Sequence, residues 1–230
     1  MARLPRLAVA GQPHLVLLRG LNHQPIALDD IDRRQCLAAL AEAAALRQLA
    51  VHAYSLMDEH LLLLVTPPEA SALSQAMQDL GRRYVAGFNR RHGRRGTLWD
   101  GRFRAAVVQP GQEALKAMLF IDTEAARASA GPLASDHAWC SAGHHLGRRH
   151  DPMITTLADY WQLGNTPFER ESAYAKHLTE GLSSAEALRL AEASHKGWAV
   201  GTPAYLLGLA EQARRPVRPR PRGRPAGRTG

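Results

Sequence analysis

Apolar residues along the chain follow two rhythms. His14 to Arg19 (HLVLLR), Ala50 to Met57 and His60 to Thr66 are short β-prone runs, the first ended by Gly20. Asp58-Glu59 separates the second run from the third as a tight turn, which predicts a hairpin. Between the strands the period lengthens: Ile31, Leu37, Leu40, Ala41, Ala44 and Ala45 recur at helical spacing behind Asp29 and Asp30. This predicts a helix to about Leu49, with its acids at the positive end of the helix dipole. Pro67-Pro68 stops the third strand, and Leu73, Met77, Leu80, Tyr84 and Phe88 form the stripe of a second helix from about Ala70 to Arg91. A glycine-punctuated loop, RRGTLWDGRF, leads to a strand at Phe103 to Gln109, and residues 112–128 read as a third helix. The order β-α-β-β-α-β-α predicts an α+β protein: a ferredoxin-like antiparallel sheet with helices on one face, followed by a helical extension.

The pattern divides the chain into a first unit at 1–130 and a Gly/His-rich connector at 131–154. A helical extension follows at 155–213, broken near Gly164 to Pro167 and Gly197 to Pro203. Residues 214–230 form a basic tail with too little apolar content to fold alone. No internal repeat is present.

Charge sharpens this division. The net charge is +8, yet residues 82–104 alone carry eight Arg against Asp100, and the tail carries seven Arg and no acid. The remainder is therefore acidic, and the basicity is confined to two patches. Such patches suit a polyanion, nucleic acid ahead of an acidic membrane. The first contains Arg82, Arg83, Arg90, Arg91, Arg94, Arg95, Arg102 and Arg104, interleaved with Tyr84, Phe88, Trp99 and Phe103. Arginine supplies phosphate contacts and aromatic rings can stack on bases. Trp99, between Gly96 and Gly101, is the stacking candidate, whereas Tyr84 and Phe88 fit the core stripe. In the tail Arg214, Arg215, Arg218, Arg220 and Arg222 are expected to add backbone affinity that salt weakens.

Cys36 and Cys140 are too few for a disulfide framework and fit a reducing cytosol. No apolar segment follows Arg3 and Arg6 as a secretory leader would require, and the longest purely apolar run, Leu61 to Val65, is far short of a membrane span. A cytoplasmic protein is expected. His137, Cys140, His144, His145 and His150 fall close together, but their spacing matches no closed zinc pattern.

Several segments together resemble the REP-associated tyrosine transposases, in the single-tyrosine branch of the HUH nuclease superfamily. They are ARLPRLAVAGQPHLVLLRGLNHQP, HAYSLMDEHLLLLVTP and LGRRYVAGFNRRHGRRGTLWDGRF, and KGWAVG before a basic end. The resemblance covers residues 2–128 well and 155–222 loosely. It implies that two His, one residue apart on a central strand, bind a divalent metal (magnesium or manganese) that polarises a phosphate of single-stranded DNA. A helix-borne tyrosine then attacks, forming a 5′-phosphotyrosine link, and a polar residue four positions later completes the metal site. Family members recognise short palindromic repeats as hairpins, and dimers are common among them.

This chain departs from that pattern where the chemistry is done. The His-x-His pair corresponds to His60-Leu61-Leu62, so one ligand is a hydrocarbon on the same strand face as the other. The tyrosine falls on Phe120, within MLFIDTEAAR, and the later polar position on Glu124. No tyrosine occurs from 85 to 159, so a shift of alignment does not recover the nucleophile. His60 and Glu124 are what remains of a metal site, and Asp58 is a minor substitute ligand. The expectation is a protein binding single-stranded or hairpin DNA, with cleavage and strand transfer weak or lost. One alternative keeps an active transposase, its nucleophile supplied by Tyr54, Tyr84, Tyr160, Tyr174 or Tyr205. A second is a non-enzymatic RNA- or partner-binding module.

Overall fold

A computed structural model describes residues 7–128, 137–213 and 216–219. Strands β1 (His14–Arg19), β2 (Ala50–Leu56), β3 (His60–Thr66) and β4 (Arg104–Val107) form one antiparallel sheet in the order β2-β3-β1-β4. Helices α1 (Asp30–Leu46) and α2 (Ala70–Arg91) are the two crossovers, giving the ferredoxin-like arrangement. The expected strand at 103–109 is trimmed to β4, and the expected helix at 112–128 breaks at Thr123 into α3 (Gln112–Asp122) and α4 (Glu124–Ala128). Thr123 leaves helical geometry at φ −93°, ψ 4°, and its hydroxyl turns back onto the Leu119 carbonyl.

Both faces of the sheet are covered. The α1/α2 face buries Val16, Leu18, Tyr54, Leu61, Leu63 and Val65 against Leu40, Leu73, Leu80, Tyr84 and Phe88. Across this layer Asp29 caps α1 by accepting from the Ile31 and Asp32 N–H groups. The fully buried Asp32 accepts from Arg91 and from His92 Nε2 at 2.9 Å, which ties α1 to the end of α2.

The opposite face carries α3 and the extension. Leu15, Leu17, Leu62, Leu64 and Ala106 pack there against Ala117, Phe120, Ile121, Tyr160, Tyr174 and Leu190. The connector holds α5 (Ala142–His145), and the extension comprises α6 (Ala158–Trp161), α7 (Pro167–Glu180), α8 (Ser184–Lys196) and α9 (Pro203–Ala213). Capping boxes on Thr166 and Ser183 start α7 and α8, and the break at Gly181–Ser183 adds to the two that the sequence marks. Burial on both sides explains why the strands read as nearly continuous apolar runs rather than alternating ones.

The connector and the extension also close the sheet edges. Leu56 N–H donates to the Trp139 carbonyl and Ser141 N–H to the Tyr54 carbonyl along β2, while Val200 N–H donates to the Val107 carbonyl along β4. Unpaired edge groups invite association with other chains, so this pairing protects them. Val217, at the head of the basic tail, is buried beside Leu7, Ala199 and Leu209, its carbonyl taking the Ala199 N–H at 2.9 Å. Arg218 beside it is exposed, while Arg214, Arg215, Arg220 and Arg222 lie outside the described residues. No described helix is long and apolar enough to cross a membrane.

Candidate functional site

His60 opens β3 directly opposite Arg19, the last residue of β1, and Leu62 pairs with Leu17. Strand alternation sends His60 and Leu62 to the face that α3 covers. There they meet Phe120 from α3, Glu124 from α4, and Ala187, Leu188, Ala191, Ser194 and His195 from α8, around a cleft of ≈ 610 Å³. The three positions that the resemblance singles out, His60, Phe120 and Glu124, are thus brought together although 64 residues separate the outer two.

Within the cleft His60 Nε2 donates to Glu124 Oε1 at 3.1 Å, and Arg127 donates to Glu124 Oε2. Burial pushes the Glu124 pKa up, but the His60 hydrogen bond and the Arg127 charge outweigh it and hold it below the usual value. The Arg127 guanidinium lies 3.9 Å from the centroid of the Phe120 ring, a cation–π contact over the side chain that stands where a nucleophile is expected. Phe120 is 5% exposed and carries no oxygen.

These donors do not fit a divalent ion. A tight site recruits three or more protein ligands, and a magnesium or manganese site is oxygen-rich. The second histidine position is the buried hydrocarbon Leu62, and the two remaining donors satisfy each other, with Arg127 on the carboxylate's other oxygen. Among the described residues, no group of three or more His, Cys, Asp or Glu side chains is placed to hold a metal ion. Asp58 does not join the cleft, because it pairs with Arg33 at 2.5 Å.

Two cleft residues were not anticipated from the sequence. Arg19 Nη2 donates to His195 Nδ1 at 2.7 Å, and Arg19 Nη1 reaches His23 Nε2 at 3.4 Å. Arg104 donates to the His195 carbonyl, pinning the end of α8. Burial, followed by the charges of Arg19 and Arg104, lowers the His195 pKa, which suits the neutral ring that accepts from Arg19. Local turns set these positions. A Cβ on Gly20 would fall 1.9 Å from the Gln24 carbonyl oxygen, so only glycine allows the tight exit from β1 that presents His23. Gly197, left-handed at φ 70°, ends α8 two residues after His195. Arg19 at a strand end was a visible clue, whereas nothing local distinguishes His195 from any surface histidine.

All five tyrosines of the chain lie away from the cleft, each with its hydroxyl committed. Tyr54 donates to Asp151, Tyr84 to the Ile26 carbonyl, Tyr160 to the His145 carbonyl, Tyr174 to Asp122 and Tyr205 to Gln12. Burial raises the pKa of all of them, that of Tyr160 to about 12. The histidines and cysteine of the connector are likewise engaged within the fold. His137 meets the Leu56 carbonyl, Cys140 Sγ the His137 carbonyl, and His144 the Asp151 N–H.

The first basic patch divides into two kinds of residue. Arg91 is tied to Asp29 and Asp32, Arg104 to the His195 carbonyl, and Arg94 lies over the Phe88 ring at 5.4 Å. Arg83 faces Glu42 at 3.7 Å. Arg82, Arg90, Arg95 and Arg102 are exposed and make no side-chain hydrogen bond or ion pair among the described residues. Trp99 is half-buried against the α1/α2 core, its indole N–H enclosed without a hydrogen-bond partner among the described residues. It borders a second depression of ≈ 370 Å³ shared with Arg19, Arg102 and Phe103. Arg19 therefore lines both hollows, and the exposed Arg102 continues the basic surface from the cleft around the end of the sheet.

No family model matches the chain, and no curated protein does. Among solved structures it is similar to the REP-associated tyrosine transposase bound to a REP hairpin, with a TM-score of 0.56 and 14% identity over 69% of this chain and 93% of that one. That likeness shows the fold. A protein described as a candidate transposase from Deinococcus radiodurans R1 is also similar, at 17% identity over 47% of this chain and 87% of that one. Its TM-score of 0.37 is too low to argue from.

Proposed function

We propose that this chain is a DNA-binding protein of the REP-associated tyrosine transposase type, taking single-stranded or hairpin DNA, in which strand cleavage and transfer are weak or lost. The observation that carries the reading is the cleft floor. Phe120 lies where the family's nucleophile is expected, capped by Arg127, beside a His60–Glu124 pair whose third partner position is Leu62. The fold shared with a hairpin-bound transposase supports the choice of ligand. The exposed Arg82, Arg90, Arg95 and Arg102 and the tail arginines are the proposed contacts to DNA backbone, which position the ligand without reading its sequence. The proposed division is a transposase-like unit at 1–130, a connector at 131–154, a helical extension at 155–213 and a basic tail, in a cytoplasmic protein that pairs as a homodimer by family analogy.

The test is one reaction: purified protein, an end-labelled single-stranded hairpin DNA and manganese, resolved on native and denaturing gels. A shifted complex without cleaved strand or covalent adduct is expected. A denaturation-resistant adduct of the natural protein would overturn the loss of chemistry, and preference for a matched RNA hairpin would overturn the ligand. Phe120→Tyr is expected to give trace adduct, and Leu62→His with Phe120→Tyr a larger, manganese-dependent amount. No adduct from either variant would refute the assignment of these positions.

A further inference from the structure

We propose that the cleft is a metal-independent seat for one backbone phosphate of single-stranded DNA, held by the guanidiniums of Arg19 and Arg127 with the imidazole of His195 as a third donor. The proposal rests on the DNA-binding reading above and names how the old catalytic site serves it.

Arg19 carries the argument. Its side chain is half-buried on the cleft wall, and both of its partners are imidazoles. Among the described residues no carboxylate lies within ion-pair distance of it. A cation withdrawn from water without a counter-charge is costly, and an incoming anion relieves that cost. Arg127 is shaped for the same ligand. Its planar face rests on Phe120, while one nitrogen holds Glu124 and another Thr123. A guanidinium offers five N–H donors in a fork matched to phosphate oxygens, so donors remain for a ligand. The acids nearby are already partnered: Glu124 with His60 and Arg127, and the exposed Glu59 with His23 at 3.4 Å. The volume of ≈ 610 Å³ lies within the usual range for small-ligand pockets, roughly 300–1,000 Å³, and accommodates a nucleotide unit.

α8 adds what the sheet alone lacks, because it brings His195 against Arg19 while Arg104 fixes its carbonyl. His195 is faced by Arg19 on β1, Arg104 on β4, His60 on β3 and Glu124 on α4, and it is neutral while Arg19 donates to it. A phosphate seated beside Arg19 and His195 offsets the cations that depress its protonation. Binding then takes up a proton, and affinity rises as pH falls below neutral.

The full chain is titrated against a 5′-labelled DNA hairpin with single-stranded flanks by fluorescence anisotropy, in EDTA, across a series of salt concentrations and from pH 8 to pH 6. Wild-type binding unchanged by EDTA and tighter at pH 6 is expected. Arg19→Gln and Arg127→Gln should each weaken binding about tenfold and lower the slope of log K against log salt by about 0.7 to 1. His195→Gln should weaken binding at pH 8 by about threefold, less than either arginine variant, and lose most of the gain on acidification. If Arg19→Gln does not fold, Arg127→Gln and the His195→Gln pH profile decide. No binding by the wild type overturns the DNA-binding reading itself. Wild-type binding with an unchanged slope in the arginine variants, or binding abolished by EDTA, overturns the phosphate seat and leaves DNA to the exposed arginines.

Discussion

Asp122 and Glu124 stand two residues apart where α3 gives way to α4, and each holds a histidine brought from elsewhere in the chain. Asp122 is fully buried. Its Oδ2 accepts from His145 Nδ1 at 2.6 Å and from the Tyr174 hydroxyl at 2.8 Å, and its Oδ1 accepts from the Ser141 hydroxyl at 2.5 Å. The other ring nitrogen of His145 lies 3.0 Å from the His52 carbonyl, so both ring nitrogens are engaged. Glu124 instead sits in an open cleft, 16% exposed, with His60 at 23%. The chemical ingredients are the same, and satisfaction separates the two sites. The Asp122 knot has no unused capacity and joins α3, the connector and α7 to β2. The Glu124 site retains unengaged donors and access for a ligand.

The largest test breaks the knot. Asp122→Ala strands a buried imidazole and two hydroxyls, and loss of one member of a buried pair costs about 3–5 kcal/mol. Urea unfolding should show a midpoint shift of that size, with connector and extension cleaved earlier by protease. A loss below about 1 kcal/mol would mean that the knot is not what separates the two sites.

The knot also marks where sequence reasoning stops. Strands β1 and β3 were legible as short apolar runs and helices α1 and α2 by their helical period, and the glycine and proline boundaries agreed with both. The site was legible through resemblance alone: His60, Phe120 and Glu124 are ordinary residues until a motif order aligns them. Asp122 was a lone acid inside the apolar MLFID, a visible oddity. Its partners Ser141, His145 and Tyr174 lie 19, 23 and 52 residues away, and no periodicity encodes such pairings. The same holds for Arg19 and His195, 176 residues apart, and for the extension lying on the second sheet face. Arg91 and Arg95 looked equivalent as charges, and only tertiary structure reveals that Arg91 belongs to Asp29 and Asp32.

That last contrast extends the comparison to the opposite face. Asp32 is a buried carboxylate like Asp122, but its partners Arg91 and His92 reach solvent. Asp32→Ala is accordingly expected to cost less, about 2–3 kcal/mol. Arg95→Ala and Arg102→Ala should stay within about 0.5 kcal/mol of wild type, and each should lower the salt slope of DNA binding by about 1. Matched unfolding and anisotropy measurements check both halves. A destabilised Arg95→Ala with unchanged DNA binding would move that residue to the structural group.

The last test returns to Glu124. Its carboxyl is held below 4.5 in the folded chain because His60 and Arg127 outweigh burial. A depressed carboxylate contributes stability above its unfolded pKa and loses it as pH falls through the folded value. Glu124→Gln should therefore cost about 1 kcal/mol at pH 7, and the gap from wild type should close as pH drops from about 5. The neutral amide still accepts from His60 but no longer pairs with the charge of Arg127. If Arg127 is thereby released to a ligand, the variant binds single-stranded DNA more tightly while being slightly less stable. Opposite signs in the two measurements would identify a site whose charges are kept for binding. A loss in both would make the Glu124 pair a more exposed version of the Asp122 knot.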